Sequence, residues 1–192
     1  GSLDSMNDGS VTYASWNWLA GGAPTATGKR RTNDSASETT LTNGTHYSGV
    51  SNVKQSVNST ADFSITTFTG AGSSSAGWFE SGLSGSADFI WIKRLEGTSH
   101  HVIWHKNLTD QDGVMLLNHT NPEDGGAGAG NNWGGGSGEG DPNVGHGQSG
   151  NPKIGIGTWD NTGGSTGTYV CYAWTEVAGY SKFGSYVGNA ND

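Results

Sequence analysis

The chain has 192 residues, enough for one domain with a real core, and 34 of them are glycine. With only 4 prolines, no G-X-Y period, and 8 Trp, 6 Tyr and 5 Phe, neither a collagen-like nor a disordered chain fits. A net charge of −8 argues against a nucleic-acid surface, which needs clustered Lys and Arg.

Residues 1–10 are polar. Residues 11–20 (VTYASWNWLA) predict a strand, with a change of face between Tyr13 and Trp16, ended by the turn at 21–24 (GGAP). Residues 25–40 are polar, lack aromatics and read as a linker, in which 29–31 (KRR) form a solvated basic cluster. Leu41, Thr42 and Tyr47 suggest a small β-arm around the turn signal Asn43, Gly44. The expected division is therefore an N-terminal arm over 1–60, with one or two strands, and a β-sandwich domain over 61–192.

Residues 62–69 (DFSITTFT) alternate, with Phe63, Ile65 and Thr67 on one face and Ser64, Thr66 and Phe68 on the other. A turn over 70–75 leads to Trp78 and Phe79. Residues 87–95 (ADFIWIKRL) and 101–106 (HVIWHK) predict a hairpin, followed by a strand over 114–118 (VMLLN). Residues 121–151 form a long polar loop, interrupted by Trp133. A short strand over 153–159 (KIGIGTW) precedes the densest apolar run, 169–174 (YVCYAW). Its alternate residues, Tyr169, Cys171, Ala173 against Val170, Tyr172, Trp174, are apolar on both faces, which predicts a central strand covered on both sides. No stretch carries a helical period. The fold class is all-β: an antiparallel, jelly-roll-like sandwich of seven to nine strands with an extended N-terminal β-arm.

The chemistry motifs are sparse. Asp110 and Asp112, two apart before Gly113, are the candidate ligands for a hard cation, but the EF-hand spacing is absent and a turn explains them more simply. His101 and His105 share a face without an assignable third ligand, and read as a strand with two polar-facing imidazoles. There is no G-x-S-x-G elbow and no P-loop, and no spacing selects a carboxylate pair, so no catalytic residue, cofactor or metal is assigned. The lone Cys171 excludes an internal disulfide and reads as a small packing residue. No run is long and apolar enough to be a membrane helix. Trp78, Phe79 and Trp133, in or beside turns, are the ligand-binding candidates, because sugars stack on such rings; the competing reading makes them plugs of the sandwich ends or of a subunit interface.

The order of FSITTFTG (63–70), ADFIWIKR (87–94), VIWH (102–105), VMLLN (114–118), a Gly/Asn loop with a Trp, and YVCYAWTEVAGYSKFGSYVGN (169–189) resembles the repeated β-domain of marine tailed-phage virion structural proteins. In those proteins it often stands beside a concanavalin A-like lectin domain. The resemblance covers 61–192, and its most specific part is AGYSKFGSYVGN. Where the family has a Gly-His-Gly-Leu-Gly turn before a Pro-Asp-Phe strand, this chain has GWFESGLSGS (77–86), without the His and the Pro. The resemblance implies a non-enzymatic virion component (fibre, tail or capsid decoration) that is homo-oligomeric and has a part in host attachment. Its partners would be copies of itself, other virion proteins and a host surface glycan, with no nucleic acid and no membrane insertion. A carbohydrate-binding adhesin module using Trp78 or Trp133, a glycan depolymerase, and a subunit of an extracellular filament are the alternatives. The 178–189 tail is expected at an end of the domain.

Overall fold

A computed structural model describes residues 12, 15, 17–33, 35–73, 76–109, 113–123, 133 and 152–188. Among these there are eleven strands and no helix. They are β1 (Lys29–Thr32), β2 (Glu38–Thr40), β3 (Tyr47–Ser48), β4 (Ser51–Asn58), β5 (Phe63–Thr69), β6 (Gly77–Glu80), β7 (Phe89–Arg94), β8 (His101–His105), β9 (Met115–Leu116), β10 (Lys153–Ile156) and β11 (Thr168–Trp174). A large sheet has the order β2-β1-β4-β5-β11-β7-β8-β9, and a small sheet the order β10-β6-β3. The all-β sandwich is as the sequence predicts, although one pair, β1 with β4, is parallel.

The apolar run at 169–174 is indeed central: β11 pairs with β5 on one side and β7 on the other, across its whole length. Its two apolar faces have different neighbours. Tyr169, Cys171 and Ala173 join Phe68, Ile90, Ile92, Val102 and Trp104 in the core between the sheets. The small sheet covers that core with Phe79, Ile154 and Ile156. Rings bridge the layers, Phe68 lying 5.1 Å from Phe79 and 5.3 Å from Tyr169. The buried Tyr169 hydroxyl donates to the Asp160 carbonyl at 2.5 Å, which satisfies its one polar atom, and burial raises its pKa.

The expected separation of an N-terminal arm over 1–60 does not hold. Residues 29–58 supply β1, β2 and β4 to the large sheet and β3 to the small one. The physical reason is a buried ion pair that pattern reading could not see. Arg30, taken above as part of a solvated cluster, lies 14% exposed on β1, and its Nη2 donates to Glu80 Oε2 of β6 at 3.2 Å. Its Nε donates to Gln55 Oε1 of β4, and Gln55 Nε2 donates to the Glu80 carbonyl at 2.7 Å and to Thr66 Oγ1 at 2.7 Å. Burial pulls the Arg30 pKa down, opposed by the attraction of Glu80.

Residues 17–20 are not a strand, contrary to the expectation for 11–20. They are held beside β4 by Asn58 Nδ2, which donates to the Leu19 carbonyl at 3.0 Å. Gly21 is required there: a Cβ would stand 1.9 Å from the Val57 carbonyl oxygen. Within β4 the register shifts between Ser51 and Lys54, and Asn52 takes a left-handed φ of 53°, the mark of a bulge. Trp78 and Phe79, expected at a turn, belong to β6, while the predicted β7–β8 hairpin is present.

Candidate interaction face

The outer face of the large sheet carries the other half of each alternating strand. Phe63 of β5, Trp174 of β11, Phe89 and Trp91 of β7 and Ile103 of β8 all turn away from the core. Cross-strand neighbours in this arrangement touch. Phe63 stacks on Trp174 at 4.8 Å, Phe89 meets Trp174 at 5.4 Å, and Trp91 meets Tyr172 at 5.3 Å. An aromatic face of this kind would ordinarily be covered by a third layer.

Among the described residues two chain segments cover it in part. From the N-terminal side Trp18 sets its ring edge-on to Trp174 at 5.5 Å, while remaining 47% exposed. From the C-terminal side the tail crosses β7 and β8 and stacks Phe183 on Phe89 at 5.4 Å with an interplanar angle of 7°. The tail therefore lies along a sheet face, where the sequence reading placed it at an end of the domain.

Charges pin the tail. Lys106 Nζ lies 2.6 Å from Glu176 Oε1 and 3.2 Å from Asp88 Oδ1, and Lys182 Nζ lies 2.7 Å from Glu176 Oε2. The Phe183 backbone N–H donates to Glu176 Oε1 at 2.8 Å. The Lys106 and Lys182 ammonium groups, with that N–H, hold the Glu176 carboxyl down at about 2, far below its ordinary value.

Between Trp18 and Phe183 lies a hollow of about 270 Å³, lined entirely by apolar surface from Trp18, Phe89, Trp91, Ile103, Leu117, Trp174 and Phe183. Leu117, just beyond the edge strand β9, is 62% exposed. The indole Nε1 atoms of Trp91 and Trp174 are buried with no hydrogen-bond partner among the described residues. On its other side β9 borders a second hollow, where Met115 and the tail residue Tyr186 lie, the latter 94% exposed. His101 and His105 rim the aromatic face, in ring contact with Trp91 and Phe89 at 5.6 and 6.2 Å. Burial first, then Lys93 or Lys106, lowers both imidazole pKa values, and His105 Nδ1 accepts from the Asn107 N–H at 3.0 Å.

The candidate ligand residues of the sequence are scattered rather than gathered. Phe79 and Trp133 are core side chains, 1% and 0% exposed, so neither offers a face to a sugar. Trp133 Nε1 donates to the Gly113 carbonyl at 3.2 Å. Trp78 is half-buried, with Lys153 Nζ 3.7 Å above its ring centroid. Asp110 and Asp112 lie outside the described residues. Among the described residues no group of three or more His, Cys, Asp or Glu could hold a metal ion.

Sequence reading missed the face itself. Its inner members follow from alternation, but Trp18 and Phe183 join them only through contacts spanning most of the chain. Compared with known proteins, the chain matches over residues 1–192 the model of a family described as Domain of unknown function (DUF7483). No curated protein and no solved structure matches it.

Proposed function

We propose, for a chain that belongs to the DUF7483 family along residues 1–192, the role of a non-enzymatic structural module that assembles with copies of itself through the aromatic outer face of its large sheet. The observation that carries this reading is the half-covered apolar hollow between Trp18 and Phe183, with Leu117 exposed on its rim. Water gains nothing from such a surface, and its burial by a second subunit is favourable at roughly 25 cal/mol per Å². Two indole N–H groups without a partner among the described residues are suited to donate to backbone carbonyls of the incoming chain. The strand β9, only two residues long, is an edge of the large sheet among the described residues and is suited to strand addition.

The setting proposed is the virion of a tailed phage, as a fibre, tail or capsid-decorating component. It rests on the sequence resemblance of 61–192 alone. Sedimentation velocity over a concentration series tests the assembly: the chain sediments as an oligomer, and a particle that stays monomeric at the highest concentration refutes the reading.

A further inference from the structure

We infer that the polar hollow at the turn end of the β7–β8 hairpin is a binding site for a carboxylate-bearing sugar. The hollow encloses about 420 Å³ between the hairpin turn, the residues after β9, and the Asp160, Asn161 turn that precedes β11. That volume lies in the ordinary range for small-ligand sites, roughly 300–1,000 Å³. It shares no lining residue with the aromatic hollow, so the site stands or falls independently of the assembly.

Three elements converge there, each held by a backbone hydrogen bond. The His100 N–H donates to Asn161 Oδ1 at 2.9 Å, and the His101 N–H donates to Asn118 Oδ1 at 3.0 Å. Both asparagines therefore use their carbonyl oxygen on the protein, and their NH₂ groups, with two donors each, meet no acceptor among the described residues. Lys93 Nζ braces the turn by donating to the Ser99 carbonyl and to Ser99 Oγ, each at 3.0 Å.

Arg94 and His100 line this frame, and their Nε and Nδ1 are buried with no partner among the described residues. Buried polar atoms in native proteins are almost always hydrogen-bonded, so an unsatisfied pair at one hollow calls for a partner, be it water, an ion or a ligand. Arg94 also reaches outward, its Nη1 3.7 Å from Asp160 Oδ2, a pair too long for a hydrogen bond; Asp160 is 64% exposed. Such an exposed pair contributes little and is readily exchanged for a better acceptor.

The donor set decides the ligand class. A guanidinium matches a carboxylate in a forked, charge-assisted geometry, with His100 available as a further contact. Two side-chain amides and the Thr98 hydroxyl suit a ring of hydroxyl groups, which donate as well as accept. In a chain of net charge −8, a hollow this rich in donors is not a general surface property. A sugar acid satisfies both halves of the set; a neutral sugar leaves the guanidinium unused, and a bare anion leaves the amides unused.

The test is calorimetric titration of the full chain with a galacturonic acid trisaccharide, with the matching neutral galactose trisaccharide and with inorganic phosphate. The acidic trisaccharide binds, and the neutral one binds at least about tenfold more weakly. Arg94→Gln weakens the acidic ligand about tenfold. Asp160→Asn, an exposed change that frees Arg94 from its present neighbour, tightens it about threefold, which keeps the inference testable even if Arg94→Gln fails to fold. Equal binding of the two trisaccharides, undiminished binding by a folded Arg94→Gln chain, or no binding of the acidic trisaccharide overturns the inference. Phosphate binding as tight as the trisaccharide overturns the sugar assignment and leaves a simple anion site.

Discussion

Removing the Glu80 carboxylate is expected to be among the most damaging single changes in this protein. Glu80 is 5% exposed and Arg30 14%, with Nη2 to Oε2 at 3.2 Å. At an effective dielectric of about 20 the gross attraction is about 5 kcal/mol, and the desolvation of two ions offsets most of it. The pair as a whole is therefore worth little. Breaking it is not, because Glu80→Leu strands the guanidinium beneath the sheet and is expected to cost about 3–5 kcal/mol, with a similar cost for Arg30→Met. The double change removes both charges, but it leaves Gln55 Oε1 without the Arg30 Nε donor. One orphaned acceptor costs about 1–3 kcal/mol, so the double variant should be more stable than either single one. Urea unfolding followed by tryptophan fluorescence gives the cycle directly. A Glu80→Leu cost below about 1 kcal/mol, or an additive cycle, would show that Arg30 is hydrated and that β1 is not tied into the sandwich as described.

Trp133→Ala should cost about 3–5 kcal/mol, as for other buried large-to-small changes, and Trp133→Phe about 1–3 kcal/mol for the orphaned Gly113 carbonyl; denaturation midpoints check both, and a change below about 1 kcal/mol in the Ala variant would mean that the ring is not in the core. The tail contact should be acid-resistant. Glu176 is held down at about 2, so its contribution is complete above its unfolded value of 4.5 and is lost as pH falls through about 2. Hydrogen exchange at the Phe183 amide should thus stay slow at pH 3, and a loss centred near 4.5 would contradict the network. Cys171 is 1% exposed and burial raises its thiol pKa, so it should react with a thiol reagent only after unfolding; rapid labelling of the native chain would refute its place in the core.

The legible and illegible parts of this fold differ by where their partners lie. In 169–174 the apolar residues declare both faces of a central strand by themselves. The same alternation in β5 and β7 exposes the aromatic outer face, so most of the candidate face is readable position by position. β4 (SNVKQSVN) and β1 (KRRT) look like linker because most of what they cover is polar, and polarity becomes tolerable inside only when a partner such as Glu80, fifty residues from Arg30, is already in place. Trp133 misleads in the opposite direction. An aromatic in a glycine-rich loop reads as exposed, and its burial rests on a cavity built by other strands. Trp18 and Phe183 share that difficulty, since each meets the face only after the chain has folded across the sheet.

The assembly through the aromatic face is tested most directly by comparing the particle mass of three chains in solution: the unaltered protein, Leu117→Asp and Leu95→Asp. Both leucines are exposed, 62% and 55%, but only Leu117 lines the hollow between Trp18 and Phe183. A charge at Leu117 should reduce the oligomer to monomers, while the same charge at Leu95 leaves it intact. Equal masses for the two variants, whether both assembled or both dissociated, would contradict assembly through this face.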